Sequence, residues 1–211
     1  MPPPAAIVFD FNGTLSEDEP VLCEIFCELF AEHGKPLSAQ EYFDRLAGLS
    51  DPEIVRTWLG ADHPDLDAVI EERVARYRAA VGDGSTVPEH IREAVRYAAA
   101  RVPLAVCSGA ARAEIEPVLQ AAGLADCFRT IVSSDDVVHG KPHPEGYLKA
   151  VAAVGTRDAL VFEDTESGIA SAKAAGLRVI GKLGTLDPAR LRQADELVER
   201  IDERLMRRCL S

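Results

Sequence analysis

Four short segments carry the side chains that could do chemistry: FDFNGTL at 9–15, VCSG at 106–109, GKPHPEGY at 140–147 and VFEDTESGIASAKAAG at 161–176. Between them they offer an acid followed two positions on by an amide (Asp10 and Asn12), a Ser-Gly pair (Ser108 and Gly109), a lysine ahead of a proline (Lys141) and two adjacent acids (Glu163 and Asp164). A carboxylate nucleophile meets an anionic group only if something cancels their repulsion, and a divalent cation on paired acids, together with a lysine, does that. Phosphoryl transfer is the reaction such a set would serve. Taken singly, each residue has a plainer reading, because a strand-end acid, a turn serine or a lysine before proline commonly serves solvation or capping. Their joint occurrence, in this order, is what points to a site.

The elements that must position them follow from the apolar periodicity. AAIVFD at 5–10 is a short apolar run ending in an acid, the pattern of a buried parallel strand that presents Asp10 at its carboxyl end. That is where open α/β sheets place their chemistry. From about Glu17 to Gly82 the period becomes helical, in PVLCEIFCELFAEHG, SAQEYFDRLAG, DPEIVRTWLG and LDAVIEERVARYRAAVG, with breaks at Gly, Pro, Ser and Asp. After GDGSTVP, strand and helix alternate: VPLAVCS then AEIEPVLQAAG, RTIVSS then PEGYLKAVAAVG, ALVFED then SGIASAKAAG, and RVIGKLG with a helical tail. Alternation of this kind predicts a parallel sheet covered by helices. Pro2 to Pro4 reads as an extended or disordered leader.

This set resembles the four motifs of the haloacid dehalogenase superfamily, and GKPHPEGY and FEDTESGI look most like the branch with β-phosphoglucomutase and phosphoglycolate phosphatase. The resemblance spans nearly the whole chain. It implies that Asp10 attacks phosphorus to form an aspartyl phosphate, and that Mg²⁺ is held by Asp10, the main-chain carbonyl of Asn12, and the acid pair Glu163 and Asp164. Glu163 would also orient water or Lys141, which supplies compensating positive charge. Ser108 and the Gly109 amide would donate hydrogen bonds to the phosphoryl oxygens.

Position 12 departs from the pattern. Phosphatases and mutases of this kind carry a second carboxylic acid there to protonate the leaving oxygen and later activate water; this chain has Asn12. An amide cannot deliver and retrieve a proton near neutral pH, and such assistance is worth about 10²- to 10⁴-fold. Four explanations stay open: a substrate with a good leaving group, a proton donor supplied by the cap, a degraded regulatory protein that binds phosphate and metal, or a deliberate substitution. Dehalogenases resemble the chain in the nucleophile but lack the metal-binding acid pair, so Glu163 and Asp164 argue against dehalogenation. Phosphonatase-type hydrolases also lack the second acid but use a cap lysine as a Schiff base, and Lys35 is the sole lysine between residues 17 and 82.

In this branch the loop after the second cap helix closes over the site and selects the leaving group. The matching segment is LAGLSDPEIVR at 46–56, where Gly48 should allow close approach to substrate. A mutase would need basic groups there for a second phosphate, yet Ala47 and Asp51 occupy the expected positions. Arg45, Arg56, Arg76 and Arg78 could approach the cleft, although helix arginines usually serve surface ion pairs. His139 and His143 flank Lys141 without metal spacing and, like Asp135 and Asp136, read as turn-shaping groups.

Composition bounds the rest. The formal charge of −12 and the lack of a basic run exclude an electrostatic footprint for nucleic acid. The opening MPPPAAIVFDF has no basic leader and too short an apolar run for a membrane span, which predicts a cytoplasmic protein. Five cysteines, Cys23, Cys27, Cys107, Cys127 and Cys209, without a CxxC pair disfavour both a disulfide framework and structural zinc. The expectation is therefore a doubly wound parallel α/β core at 1–16 and 83–211, interrupted by a four-helix cap at 17–82, with the site between them. It would be a Mg²⁺-dependent phosphatase-type hydrolase of a small phosphorylated metabolite, monomeric or homodimeric, with a catalytically impaired regulatory protein as the rival.

Overall fold

Every residue of the run Ala6–Phe9 is buried, and its β-branched and aromatic side chains suit a pleated surface covered on both faces. This strand, β1, lies at the middle of a six-stranded sheet in a computed structural model that describes residues 3–211. The other strands are β2 (Leu104–Cys107), β3 (Phe128–Val132), β4 (Ala159–Glu163), β5 (Arg178–Lys182) and β6 (Glu196–Val198), in the order β3-β2-β1-β4-β5-β6. All pairs are parallel. The chain winds outward on both sides of β1, which makes the carboxyl ends of β2, β1 and β4 the switch point where such sheets open a crevice. Phe9 anchors this centre, stacking on Phe162 at 5.1 Å and meeting Phe128 edge-on at 6.3 Å.

Four helices follow β1: α1 (Glu19–Glu32), α2 (Ala39–Arg45), α3 (Asp51–Leu59) and α4 (Leu66–Val81). Their starts carry local signals, with Pro20 in the first turn of α1, and Glu41 and Glu53 accepting from the Ser38 and Ser50 backbone N–H groups at 3.0 and 2.9 Å. The buried face of α1 is Leu22, Cys23, Ile25, Phe26, Leu29 and Phe30 at helical spacing. The chain leaves and re-enters the sheet layer side by side. The Ser16 hydroxyl donates to Thr86 Oγ1 at 2.7 Å and the Glu17 N–H to the Thr86 carbonyl at 2.7 Å.

The remaining helices are α5 (Glu89–Ala99), α6 (Arg112–Ala121), α7 (Glu145–Val154), α8 (Glu166–Ala174) and α9 (Glu203–Cys209). Three sequence expectations need correction. Helix α5, absent from the alternation, is a strongly one-sided helix that buries Ile91, Ala94, Val95 and Ala98. The presumed helical tail contains the edge strand β6, only three residues long, whose signal is too short to register against its polar surroundings. Of the proline leader, Pro2 lies outside the described residues, whereas Pro4 is buried and the Ala5 N–H donates to the Asp158 carbonyl at 2.9 Å. The cysteines are all free, and no helix among the described residues is long and apolar enough to cross a membrane.

Candidate active site

Asp10 is the first residue past β1 and Glu163 the last of β4, so the parallel pairing of these strands brings the two carboxylates to one edge. Lys141, from the loop between β3 and α7, reaches across them: its ammonium donates to Asp10 Oδ1 at 2.5 Å and to Glu163 Oε1. Burial alone would push the Lys141 ammonium down, but the charges of Asp10 and Glu163 outweigh it and hold the lysine protonated, well above its ordinary range. Glu163 is fully engaged. Besides Lys141 it accepts from the Tyr147 hydroxyl at 3.1 Å, the N–H groups of Asp164 and Thr165 at 2.9 Å each, and the Thr165 hydroxyl at 2.9 Å. A side chain at Gly168 would put its Cβ 1.6 Å from Glu163 Oε1, so the first turn of α8 closes on this carboxylate only as glycine.

Asp164 has a different environment. Its partners are the neutral hydroxyls of Thr14, at 3.0 Å, and Thr185. Gly13, at φ +70°, packs so closely that a Cβ there would stand 1.9 Å from Asp164 Oδ2, and Lys182 pins the Gly13 carbonyl at 2.8 Å. Burial, then the charge of Glu163, raises Asp164 to about 7, and burial raises Asp10 against the pull of Lys141. One oxygen from each of Asp10, Glu163 and Asp164 lies within 4.8 Å of the others. Three buried carboxylates against one ammonium leave two negative charges without a counter-ion, and an all-oxygen donor set of this kind suits a hard divalent cation. Glu163, expected as a ligand, does not line the cavity and its oxygens accept from five donors, whereas Asp10 and Asp164 line it.

The site residues face one cavity of about 1030 Å³, lined on the sheet side by Asp10, Asn12, Ser108, Gly109, Lys141 and Asp164. The Ser108 hydroxyl accepts from the Ala110 N–H at 3.1 Å and keeps its own hydrogen for a ligand, and Gly109 is exposed beside it. Asn12 turns its amide the other way. It donates to Asp18 Oδ2 at 2.9 Å and to the Tyr77 hydroxyl at 3.1 Å, and Asp18, wholly buried, also accepts from Tyr77 and from the Gly13 N–H at 3.2 Å.

The sequence profile of haloacid dehalogenase-like hydrolases matches residues 7–182. The chain belongs to this hydrolase family. It is 32% identical over 204 residues to validoxylamine A 7'-phosphate phosphatase of Streptomyces hygroscopicus subsp. limoneus, covering 93% of each chain. It is 29% identical over 180 residues to fructose-1-phosphate phosphatase YqaB of Escherichia coli, covering 83% of this chain and 95% of that one. Among solved structures it resembles CbbY of Rhodobacter sphaeroides in complex with phosphate, with a TM-score of 0.82, 27% identity, and coverage of 94% and 95%.

In this haloacid dehalogenase-like hydrolase the helical insertion forms the other wall of the cavity, through Glu19, Tyr42, Gly48, Asp51, Arg56 and Arg73. Gly48, at φ +87°, owes its smallness to the sheet domain: a Cβ would stand 3.3 Å from Thr165 Cγ2, and Ser167 donates to the Gly48 carbonyl at 3.0 Å. Of the four arginines considered from sequence, Arg56 alone lines the cavity. Arg45 lies over the Trp58 ring, Arg76 pairs with Glu28, Glu32 and Glu72, and Arg78 is exposed. The cation that matters at this wall is Arg73, bridging Asp51 at 2.6 Å and Glu114. Its signal was legible, since Val69, Arg73, Tyr77 and Val81 recur every four residues as the buried face of α4.

Lys35 lies outside the cavity, donating to the Leu59 carbonyl at 2.6 Å as a cap on α3. Among the described residues Lys141 is the one lysine lining the cavity, so the Schiff-base reading through Lys35 loses its residue. His139 and His143 do line it, with rings 4.7 Å apart and donor atoms gathered with those of Glu145, a grouping their spacing did not suggest. Glu145 is occupied by the Val138 and His139 N–H groups and by Lys149, which makes the group a turn clasp. Asp136 likewise caps Ser133, accepting from its N–H at 2.8 Å.

Proposed function

We propose that the chain is a Mg²⁺-dependent phosphatase that hydrolyses a small phosphorylated metabolite through a phosphorylated Asp10, with residues 17–82 as a cap over the site. The observation that carries this reading is the Lys141 bridge from Asp10 to Glu163, with Asp164 beside it in the same cavity. A carboxylate between a lysine and an acid pair can approach a phosphoryl group, and the hydroxyl of Ser108 and the N–H of Gly109, which line the same cavity, would donate to its oxygens. When bound, Mg²⁺ would be held by Asp10, the Asn12 carbonyl and Asp164, and would supply charge that draws phosphoryl and carboxylate together.

The residues divide the work. One Asp10 oxygen bonds to phosphorus as the ester oxygen leaves, Lys141 and Ser108 hold the phosphoryl oxygens, and water then cleaves the acyl phosphate to free Asp10 and inorganic phosphate. Glu163 holds Lys141 in place. The relatives named for validoxylamine A 7'-phosphate and fructose 1-phosphate support a phosphorylated, hydroxyl-rich small molecule as the substrate class. At the far wall Asp51 and Glu114 already neutralise the buried Arg73, so that cation is not free for a second phosphate.

Incubation with Mg²⁺ and acetyl phosphate, followed by acid quench and peptide mass analysis, should place a phosphoryl group on Asp10. An unmodified Asp10 peptide under those conditions would remove the reading. The rival, a phosphate-responsive protein without turnover, rests on Asn12, and it gains if Mg²⁺ and phosphate raise the melting temperature while a panel of sugar and polyol phosphates stays intact.

A further inference from the structure

The phosphatase reading leaves one chemical requirement unmet, namely a group that gives a proton to the leaving oxygen and later takes one from water. Asn12 cannot do this, and its amide is spent on Asp18 and Tyr77. Six carboxyl side chains line the cavity: Asp10, Glu19, Asp51, Glu53, Glu114 and Asp164. Asp10 and Asp164 belong to the nucleophile and cation set. Asp51 and Glu114 are held by Arg73, and Glu53 folds back on Ser50. Glu19 remains. Among the described residues its only hydrogen-bond partner is the Tyr42 hydroxyl, which donates to Glu19 Oε1 at 2.9 Å.

We propose that Glu19 is the proton carrier of this site, taking from the first turn of α1 the role that position 12 lacks. The inference rests on the phosphatase reading and deepens it. Pro20 fixes the start of α1 immediately after Glu19, and buried Tyr42 in α2 orients the carboxyl from the side. Asp18, the neighbouring acid, does not line the cavity. The groups whose charges reach Glu19 are Asp18 and Asp10 from the β1–α1 segment and Arg73 from α4, the neutral Tyr42 hydroxyl from α2 donates to it, and Glu19 in turn is felt at Asp164. Burial, then the charge of Asp18, pushes Glu19 up to about 7, where a carboxyl is populated in both protonation states at neutral pH.

The two steps balance. In the first, the bond from Asp10 oxygen to phosphorus forms, the phosphorus–oxygen ester bond breaks, and the Glu19 carboxyl proton passes to the leaving oxygen to give the alcohol. In the second, water oxygen bonds to phosphorus, its proton returns to the Glu19 carboxylate, and the Asp10–phosphorus bond breaks to release inorganic phosphate. Glu19 ends as it began.

The test is Glu19→Gln, assayed with glycerol 3-phosphate, whose alkoxide needs a proton to leave, and with p-nitrophenyl phosphate, whose phenolate does not. The expected result is a loss of about 10²- to 10⁴-fold in turnover of glycerol 3-phosphate. Acyl-phosphate formation from p-nitrophenyl phosphate should survive, with phosphorylated Asp10 accumulating because water is no longer deprotonated. An ionisation near neutrality is expected in the wild-type kcat profile and should be absent from that of the variant. Equal losses in the rate of acyl-phosphate formation from both substrates, or a change in KM alone, would make Glu19 a binding or structural residue and overturn the proposal, as would unchanged turnover of glycerol 3-phosphate. If the wild-type chain itself forms no phosphorylated Asp10 from either acetyl phosphate or p-nitrophenyl phosphate, the phosphatase reading falls and this one with it.

Discussion

The side-chain amide of Asn12 donates to the carboxylate of Asp18 at 2.9 Å, so the amide at position 12 is the half-buried donor to a buried carboxylate. The pair constrains any attempt to restore an acid at position 12. A carboxylate introduced there would face the buried Asp18 carboxylate at hydrogen-bond distance, which favours a proton on one of the two.

Asn12→Asp alone is therefore expected to melt lower than wild type, by roughly 1–3 kcal/mol for the lost buried hydrogen bond, a few degrees in Tm. The deficit should grow as pH rises, since like charges then accumulate. Adding Asp18→Asn reverses the polarity of the pair and should recover the melting temperature and accelerate hydrolysis at least ~10-fold over the single variant. Calorimetry and steady-state assays of both variants at pH 6 and 8 check this; a single variant as stable and as active as the double would contradict it.

Lys141→Met removes the ammonium that Asp10 and Glu163 share. Breaking a buried ion pair by deleting one partner costs about 3–5 kcal/mol, because the carboxylates are left uncompensated. The variant should unfold earlier at pH 8, regain part of the loss at pH 5 as the acids protonate, and form phosphorylated Asp10 at least ~10²-fold more slowly. Denaturant melts at the two pH values, with acid-quench labelling, give the answer.

The cation site has its own pH signature. Asp164, ordinarily near 3.8, stands at about 7 in the fold, and Glu19, ordinarily near 4.5, also stands at about 7, both chiefly through burial. With folded values above unfolded ones, the native state binds more protons between about pH 4 and 7, so the metal-free protein loses stability as pH rises through that window. Mg²⁺ binds the deprotonated acids, so its stabilising shift should be small at pH 5 and larger at pH 8, near 2.7 kcal/mol at a hundredfold excess over Kd. Thermal melts with and without Mg²⁺ read this directly, and a shift that is equal or larger at pH 5 would count against the site.

Gly13→Ala should uncouple the cation site from the rest of the fold. Its Cβ would meet Asp164 Oδ2 at 1.9 Å, at a backbone φ of +70° that alanine tolerates poorly. Stability should fall by about 1 kcal/mol or more, and Mg²⁺ affinity, measured by calorimetric titration, should fall with it as Asp164 is displaced. Intact Mg²⁺ affinity in a folded variant would mean that Asp164 is not a ligand.

The reach of the amino-acid sequence is clearest at β1 and at Lys141. AIVF is apolar over its whole length, which identifies a strand buried on both faces, and the acid that ends it then has to emerge at the sheet's carboxyl edge. The strand–helix alternation after residue 85 implied a parallel sheet and so brought Asp10, Ser108 and Glu163 to one edge before any distance was known. Gly13 and Gly168 are readable only afterwards, because what excludes a side chain there is a carboxylate 151 or 5 residues away in the other direction of the chain.

What the tertiary structure alone decided lies on the helical wall. A period of four shows that Arg73 and Tyr77 face inward, and the period cannot say that Arg73 meets Asp51 and Glu114 or that Tyr77 meets Asp18. Likewise Glu19 reads in sequence as an ordinary first-turn acid, favoured by the helix dipole. Only the packing of α2 against α1, which sets the Tyr42 hydroxyl on it, and the cavity it shares with Asp10 make it a candidate for chemistry. The physical reason is the same throughout: hydrophobic periodicity is a local property that fixes which face is buried, whereas the pairing of buried polar groups depends on which distant partners that burial brings within hydrogen-bond reach.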